Sequence, residues 1–353
     1  MRDADGERNA GASLPGEFEL IARLTAGLET RADVVLGTGD DAALLALGGD
    51  DWLLVATVDA QVEGIHFVRG VAAPEDIGHK ALAVNLSDLA AMGAEPRWAL
   101  VSLMLPPGHV TADELERIYG GMRALARRYG VAIVGGNIAA TSGPLILDVT
   151  ALGRVRRGAE VRRAGGQPGD VLLVVGTLGA AQAGLLALVK APGNTRQAQL
   201  APDMLAQVRA AMVAPVPQVA AGSALAATGA LGAMLDVSDG LAADLAHLCA
   251  ASGTGAVLEA ARIPISSAAV AVARAYGRDP LALALHGGED YALLCAVRPE
   301  RVASARDAVR SAGGEAHIVG ELTAAAEGLR LRRPNGQLQP LEPGGWDHLR
   351  LQS

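Results

Sequence analysis

Two periods of hydrophobic and polar positions alternate along this chain, and the switches between them outline its elements. From Glu17 to Leu28 the residues Phe18, Ile21, Ala22 and Leu28 recur at helical spacing on one face. Apolar runs at Val34–Leu36, Ala42–Leu47 and Trp52–Val58, bounded by Gly and Asp, predict strands. Pro74, Glu75 and Asp76 suit the first turn of a helix that Gly93 closes. Trp98–Leu105 predicts a further strand. Thr111 with Glu114 three residues on forms a capping box, opening a helix that ends before Gly130. Strands at Val131–Val134 and Leu145–Val155 complete a first half. Hairpin-joined strands with two long helices predict an α+β unit rather than a strictly alternating parallel sheet.

Arg154 to Gly169, rich in Arg and Gly, reads as a linker. Beyond it lie a strand at Val171–Val175, a Gly-Thr-Leu-Gly turn and a helix running to Lys190, then a polar loop over 191–203 that reads as mobile. A helix near Gln218–Thr228, a strand at Leu231–Val237, a helix capped by Ser238 or Asp239, a strand at Tyr291–Val297 and a helix over Pro299–Ala312 follow. At 353 residues the length suits about two domains. The expected division is a flexible tail at 1–15, an N-terminal domain at 16–155 and a C-terminal domain at 165–353.

Composition narrows the function. Half the chain is apolar and 19% is charged, enough for substantial cores. The net charge of −8 argues against an electrostatic grip on nucleic acid or an anionic membrane. The long uncharged run between Asp170 and Lys190 is broken by glycines and is a poor membrane span. No apolar core of the kind a signal peptide needs precedes Leu14. Two cysteines, Cys249 and Cys295, both in apolar contexts, exclude a disulfide framework and fit a reducing cytoplasm. Lysine occurs only at 80 and 190, and neither stands in a G-x-x-x-x-G-K-[ST] loop.

The aspartates carry the chemistry. Asp40 and Asp41 share a Gly-flanked turn, Asp59 ends a predicted strand, and Asn85 and Asp88 share a helix face. Asp236 and Asp239 bracket a strand-to-helix junction, and Glu289 and Asp290 follow a Gly pair. Turn and cap preferences explain any one of these. Five such sites at strand ends, without a neighbouring Lys or Arg to pair with, predict instead crowded carboxylates that need cations between them. Hard oxygen ligands select Mg²⁺ or Mn²⁺, so divalent-metal phosphate chemistry is the sharper expectation. Gly37, Gly39 and Ala42 imitate a dinucleotide fingerprint, with Asp59 about twenty residues on. Asp40 and Asp41 would repel a pyrophosphate, and too few residues precede Leu53 for a crossover helix.

The strings GDDAALL, TVDAQVEGIHF, HKALAVNLSDLAAMGAEP, GGN, RRAGGQPGD, LDVSDGLAADL, GGEDYALL and GWDHL, in that order over about residues 16 to 350, resemble the thiamine-monophosphate kinase family. That family lies within the aminoimidazole ribonucleotide synthetase-like superfamily. The resemblance implies an α/β (α+β) fold of two parts. An N-terminal β-sheet half-barrel dimerises, and a C-terminal α/β domain lies behind it. It implies transfer of the ATP γ-phosphoryl to thiamine monophosphate with several Mg²⁺ ions, in a homodimer. Asp41, Thr57, Val58, Asp59, Asp88, Asn137, Asp236 and Asp239 fall on the family's magnesium positions. Tyr119, Gly136, Arg163 and Ser238 fall on ATP-contacting positions, and His66, Glu289 and Trp346 on substrate positions.

Asn137 stands where many members carry Asp, and Val58 where many carry a hydroxyl, so Val58 offers a metal only its carbonyl. His66 suits a strand edge as well as an acceptor phosphate, and Arg163 a solvated linker as well as ATP phosphates. Tyr119 and Trp346 suit packing, although Trp346 could also stack on thiamine. Two alternatives stand beside the kinase. One is a sibling ATP-dependent synthetase, of the selenophosphate or aminoimidazole ribonucleotide kind; the former usually carries a catalytic Cys or selenocysteine and a Lys near the N-terminus, whereas here both cysteines come late and no Lys precedes Lys80. A non-catalytic nucleotide- or metal-binding relative is left open by Asn137 and Val58.

Overall fold

Alternating burial along long strands builds the first of two sheets in the computed structural model, which describes residues 16–28, 31–49, 51–190, 192–193, 195–197 and 200–345. The predicted tail at 1–15 lies outside them. Two units divide the chain, Met1–Arg31 with Asp347–Ser353, and Ala32–Trp346. In the smaller unit, helix α1 (Glu17–Thr25) stops short of the predicted Leu28. There Thr25 Oγ1 donates back to the Ile21 carbonyl at 2.9 Å, a bond that competes with helix continuation.

In the larger unit, β1 (Val34–Leu36), β2 (Ala43–Ala46) and β3 (Trp52–Val62) form a meander. Helix α2 (Pro74–Ala91), β4 (Glu95–Leu105), α3 (Ala112–Tyr129), β5 (Ala132–Ala140) and β6 (Ile146–Arg156) follow. The six strands run in the order β1-β2-β3-β6-β4-β5, antiparallel except for the β4–β5 pair. Strand β3 continues past the predicted Val58, so Asp59 lies within the strand and not at its end. Its period-two pattern turns Leu53, Val55, Thr57, Asp59 and Gln61 toward the helices and Val58 and Ala60 outward. Thr111 caps α3, accepting the Glu114 N–H at 3.2 Å, and Gly130 ends that helix at φ 67°. Only half of the predicted capping box forms, because the Glu114 carboxylate pairs with Arg69 at 2.8 Å.

The second sheet is built from the rest of the chain. Strand β7 (Val171–Val175) leads to α4 (Ala180–Gly184), which passes into a π-helical stretch at Leu185–Lys190. Then come α5 (Pro202–Val213), which the sequence pattern did not indicate, α6 (Val219–Ala227), β8 (Leu231–Val237), α7 (Leu241–Ser252) and β9 (Thr254–Glu259). Helices α8 (Ser267–Ala275) and α9 (Pro280–His286), strand β10 (Ala292–Val297), α10 (Val302–Ser311), β11 (Ala316–Ala324), β12 (Leu329–Arg332) and β13 (Leu338–Pro340) complete it. The order is β13-β12-β9-β11-β7-β10-β8, antiparallel except for β12–β9. Part of the predicted loop at 191–203 lies outside the described residues, and α5 already begins at Pro202.

The stretch read as a linker is anchored. Val161 is buried, its N–H reaches the Met92 carbonyl, and the Met234 N–H bonds to the Arg162 carbonyl at 3.0 Å. Helix α2 joins the halves. It is buried nearly all round, as a helix packed on both sides must be, with the first sheet and α3 on one flank and β8 and α6 on the other. Glycines set these distances: a Cβ on Gly78 would lie 1.8 Å from the Ile118 carbonyl oxygen, and one on Gly222 would lie 2.2 Å from that of Ala90. One continuous core runs from the first sheet through α2 into β7 and β10. The opposite face of the first sheet is open and apolar, with Val58 58% exposed beside Leu100 and Trp98.

Candidate active site

Near its C-terminal end, α2 offers two polar neighbours, one to each half of the chain. Asp88 accepts from Thr57 Oγ1 of β3 at 2.6 Å, and Ser87 Oγ donates to Asp236 of β8 at 2.6 Å. Asp236, Asp88 and Asp41 are fully enclosed, and burial is the main influence on each. It pushes Asp41 and Asp236 up to about 7 and Asp88 well above the ordinary carboxylate range. Mutual repulsion adds to it: Asp59, Asp236 and Asp41 act on Asp88, Asp236 and Asp40 on Asp41, and Asp59 and Asp239 on Asp236. The chain thus brings Asp41, Asp59, Asp88, Asp236 and Asp239 together from a hairpin, a strand, a helix and a strand end.

The expectation that these carboxylates have no cationic neighbour fails in two places. Arg163 Nη2 donates to Asp41 Oδ1 at 2.5 Å, and its backbone N–H reaches both oxygens of Asp40 at 3.0 and 3.2 Å. Lys80 Nζ meets Glu289 Oε1 at 2.7 Å. Both cations are distant in sequence, and folding carries them to the acids.

Among the described residues no group of three or more His, Cys, Asp or Glu side chains is arranged to hold a metal ion by itself. Asp41 is turned onto Arg163, Asp88 onto Thr57 and Asp236 onto Ser87. The residues nevertheless suit a hard divalent cation. Asp41 Oδ2 is buried without a hydrogen-bond partner, and so is Arg163 Nε, an acceptor and a donor left over at one ion pair. Repelling, all-oxygen donors of this kind match Mg²⁺, which takes few protein ligands and completes its shell with water and phosphate oxygens.

The junction after β8 is held from within α7. Asp244 accepts the N–H groups of Asp239 and Gly240 at 3.2 and 3.0 Å, so neither Ser238 nor Asp239 caps the helix as expected. The Ser238 carbonyl accepts the Glu289 N–H at 2.7 Å and the Val237 carbonyl the Tyr291 N–H at 2.9 Å, tying the Gly-Gly-Glu-Asp loop to this junction. Glu289 and Tyr291 both hold positive φ, 69° and 49°, where non-glycine residues are strained. Asp290 points the other way, accepting the Gly179 N–H at 2.6 Å ahead of α4, and burial pushes it up to about 7. It therefore serves the scaffold and not the acidic group.

His66 stands in the turn after β3, where its Nδ1 accepts the Val62 N–H at 3.0 Å. That bond leaves the ring proton of the neutral form on Nε2. Other expected residues are not gathered. Asn137 on β5 is in register with Ser102, Asp148 and Ala60, three strand spacings from β3, or about 14 Å. It shares the open face with Ala60, whereas Asp59 points to the opposite face. Val58 also points outward. Gly136 is neighbour to Asn137 on the same strand, and a Cβ there would strike the Val101 carbonyl oxygen at 1.8 Å, so close strand packing accounts for the glycine. Tyr119 is half-buried on α3 against the core. Trp346 lies outside the described residues; the chain before it runs beside Asp239, where a Cβ on Gly345 would lie 2.7 Å from the Asp239 carbonyl oxygen.

Sequence reasoning passed over Lys80, Ser87 and Asp244. Lysine's rarity was the available signal for Lys80. Ser87 and Asp244 gave none, since each acts through a partner that only the fold supplies.

Two sheets joined by a buried helix, with acids of both halves meeting near its end, define a protein of the AIR synthase related class. The family model for the AIR synthase related protein N-terminal domain matches residues 39–155, and that for the C-terminal domain matches residues 167–331. The thiamine-monophosphate kinase of Salmonella typhimurium is 37% identical over 335 residues, covering 94% of this chain and 98% of its own. That of Mycobacterium tuberculosis is 39% identical over 286 residues, covering 80% and 81%. The solved structure of AaThiL complexed with AMPPCP and TMP superposes with a TM-score of 0.80 at 31% identity, covering 94% of this chain and 97% of that one. The thiamine-monophosphate kinase structure from Stenotrophomonas maltophilia gives 0.72 at 37% identity, covering 91% and 97%. The chain belongs to the thiamine-monophosphate kinase family.

Proposed function

We propose that this protein is a Mg²⁺-dependent kinase that transfers the γ-phosphoryl of ATP to thiamine monophosphate, giving thiamine diphosphate and ADP. The observation that carries the reading is the convergence of Asp41, Asp59, Asp88 and Asp236 at α2, in a chain of this family. Asp41, Asp59, Asp88, Asp236 and Asp239 would hold the cations, with the Thr57 hydroxyl and the Val58 carbonyl. Bound there, divalent ions supply charge neutralisation and alignment between two polyanions.

The chain's own groups do the rest. Arg163 presents its unpartnered Nε to ATP phosphate oxygens, with Ser238 and Tyr119 as further ATP contacts. The His66 Nε2–H donates to the acceptor phosphate, Glu289 faces the cationic or amino end of thiamine, and Trp346 stacks on it. No strong general base is needed, because a phosphate monoester with a second pKa near ~6 is already an oxyanion nucleophile at neutral pH.

The active form is a homodimer joined through the open face of the first sheet, where Val58, Trp98 and Leu100 expose apolar surface. In that arrangement Gly136 and Asn137, remote from the acids of their own subunit, serve the site of the second copy. Free, buried Cys249 and Cys295 suit the cytoplasm, and no helix among the described residues is long and apolar enough to cross a membrane.

An ADP-release assay with thiamine, thiamine monophosphate or aminoimidazole precursors, in Mg²⁺ and in EDTA, tests the reading. ADP is expected only with thiamine monophosphate and metal. Release without an acceptor would identify a hydrolase, and ATP binding without release a non-catalytic relative.

A further inference from the structure

One of the chain's two lysines is buried. Lys80, in the second turn of α2, is 2% exposed. Its ammonium donates to the His66 carbonyl at 2.7 Å and pairs with Glu289 Oε1 at 2.7 Å. A buried ammonium is tolerated only where its donors find partners. Here the partners come from the two halves of the chain, the turn after β3 and the loop before β10, and both belong to the acceptor side of the proposed site.

The strained loop shows what the lysine adds. The Glu289 N–H on Ser238, the Tyr291 N–H on Val237 and the Asp290 carboxylate on the Gly179 N–H fix the main chain of residues 289–291. None of them fixes the Glu289 carboxylate, which is about a third exposed. Lys80 does so, occupying Oε1. It also offsets a negative charge that would otherwise repel an incoming phosphate.

We infer that Lys80 is a positioning residue for the acceptor substrate: its ammonium, anchored on the His66 carbonyl, holds the Glu289 carboxylate in one fixed geometry toward thiamine monophosphate. The inference rests on the kinase reading of the site. On that reading the bridge serves the acceptor and not ATP, so the acceptor's Michaelis constant should change and that for ATP should not.

The test compares Lys80→Met, Glu289→Gln and the double variant with the parent by steady-state kinetics in both substrates and by direct binding of thiamine monophosphate. Both single variants should raise the acceptor KM and weaken its binding by about tenfold or more, the scale of a lost charge-assisted contact, with the ATP KM within about twofold. Because Lys80 acts through Glu289, the double variant should be no worse than Glu289→Gln alone. An unchanged acceptor KM in Lys80→Met, an equal rise in the ATP KM, or an additive loss in the double variant would overturn the inference while Glu289→Gln still reports the acceptor site. If Glu289→Gln changes neither KM nor binding, the acceptor assignment of Glu289 fails together with the inference. Should Lys80→Met fail to fold, the double variant, in which no charge is left unpaired, carries the same comparison against Glu289→Gln.

Discussion

Replacing Asp236 with Asn should stabilise the metal-free protein and stop its chemistry. Asp236 is fully buried, and its carboxyl is pushed from 3.8 up to about 7 by burial and by Asp59 and Asp239, against the Ser87 hydrogen bond and Arg163. A carboxyl whose folded pKa exceeds its unfolded one contributes stability below pH 3.8 that is lost as pH rises through 7. The shift of about 3 units corresponds to about 4 kcal/mol at pH 8, at roughly 1.36 kcal/mol per unit. Asn keeps an acceptor for Ser87 Oγ and removes the charge, which also relieves Asp41 and Asp88. After allowance for imperfect amide packing, the net gain should be roughly 1–3 kcal/mol. Denaturant unfolding of parent and variant in EDTA at pH 8 measures it, and repetition at pH 5 should find most of the advantage gone. With Mg²⁺ and ATP the order should reverse, since only the parent gains binding energy, and turnover of the variant should fall on the order of 10³-fold. A variant no more stable than the parent in EDTA at pH 8 would refute the claim that these carboxylates strain one another.

Arg163→Met leaves Asp41 without its partner; unfolding at pH 8 should show a loss of about 3 kcal/mol, smaller at pH 6 where Asp41 takes up a proton, and kinetics should show a raised ATP KM. Asp290→Asn removes a buried scaffold carboxyl that titrates near 7, so parent stability relative to this variant should fall as pH climbs from 4 to 8, by up to about 4 kcal/mol in unfolding experiments. The converse trend would mean that the backbone donors before α4 outweigh its burial. Leu100→Asp on the open face of the first sheet should yield a monomer by sedimentation, folded by circular dichroism and with little activity; a dimer of unaltered mass would place the interface elsewhere.

Element types were legible where local rules suffice. The Thr111 cap, the Gly130 stop and the glycine-bounded strands follow from side-chain chemistry within a few residues. Boundaries slipped where the tertiary structure extends a pattern, as when β3 carries Asp59 beyond the predicted end and β5 absorbs Gly136 and Asn137. Helix α5 went unseen because its weakly amphipathic pattern lies behind a polar loop.

The amino-acid order by itself determined that carboxylates would collect at turns and strand ends, that no phosphate loop of the lysine type exists, and which family the motifs resemble. Only folding decided which acids meet. Asp88 and Asp236 are 148 positions apart, and α2, buried between two sheets, sets them side by side through Ser87 and Thr57. Folding likewise carried Arg163 to Asp41 and Lys80 to Glu289, and left Asn137 on the far face of its sheet. The reason is one of range. Caps and turns are settled by neighbours a few residues away, whereas charge pairing at a site depends on distances through space that no local pattern encodes.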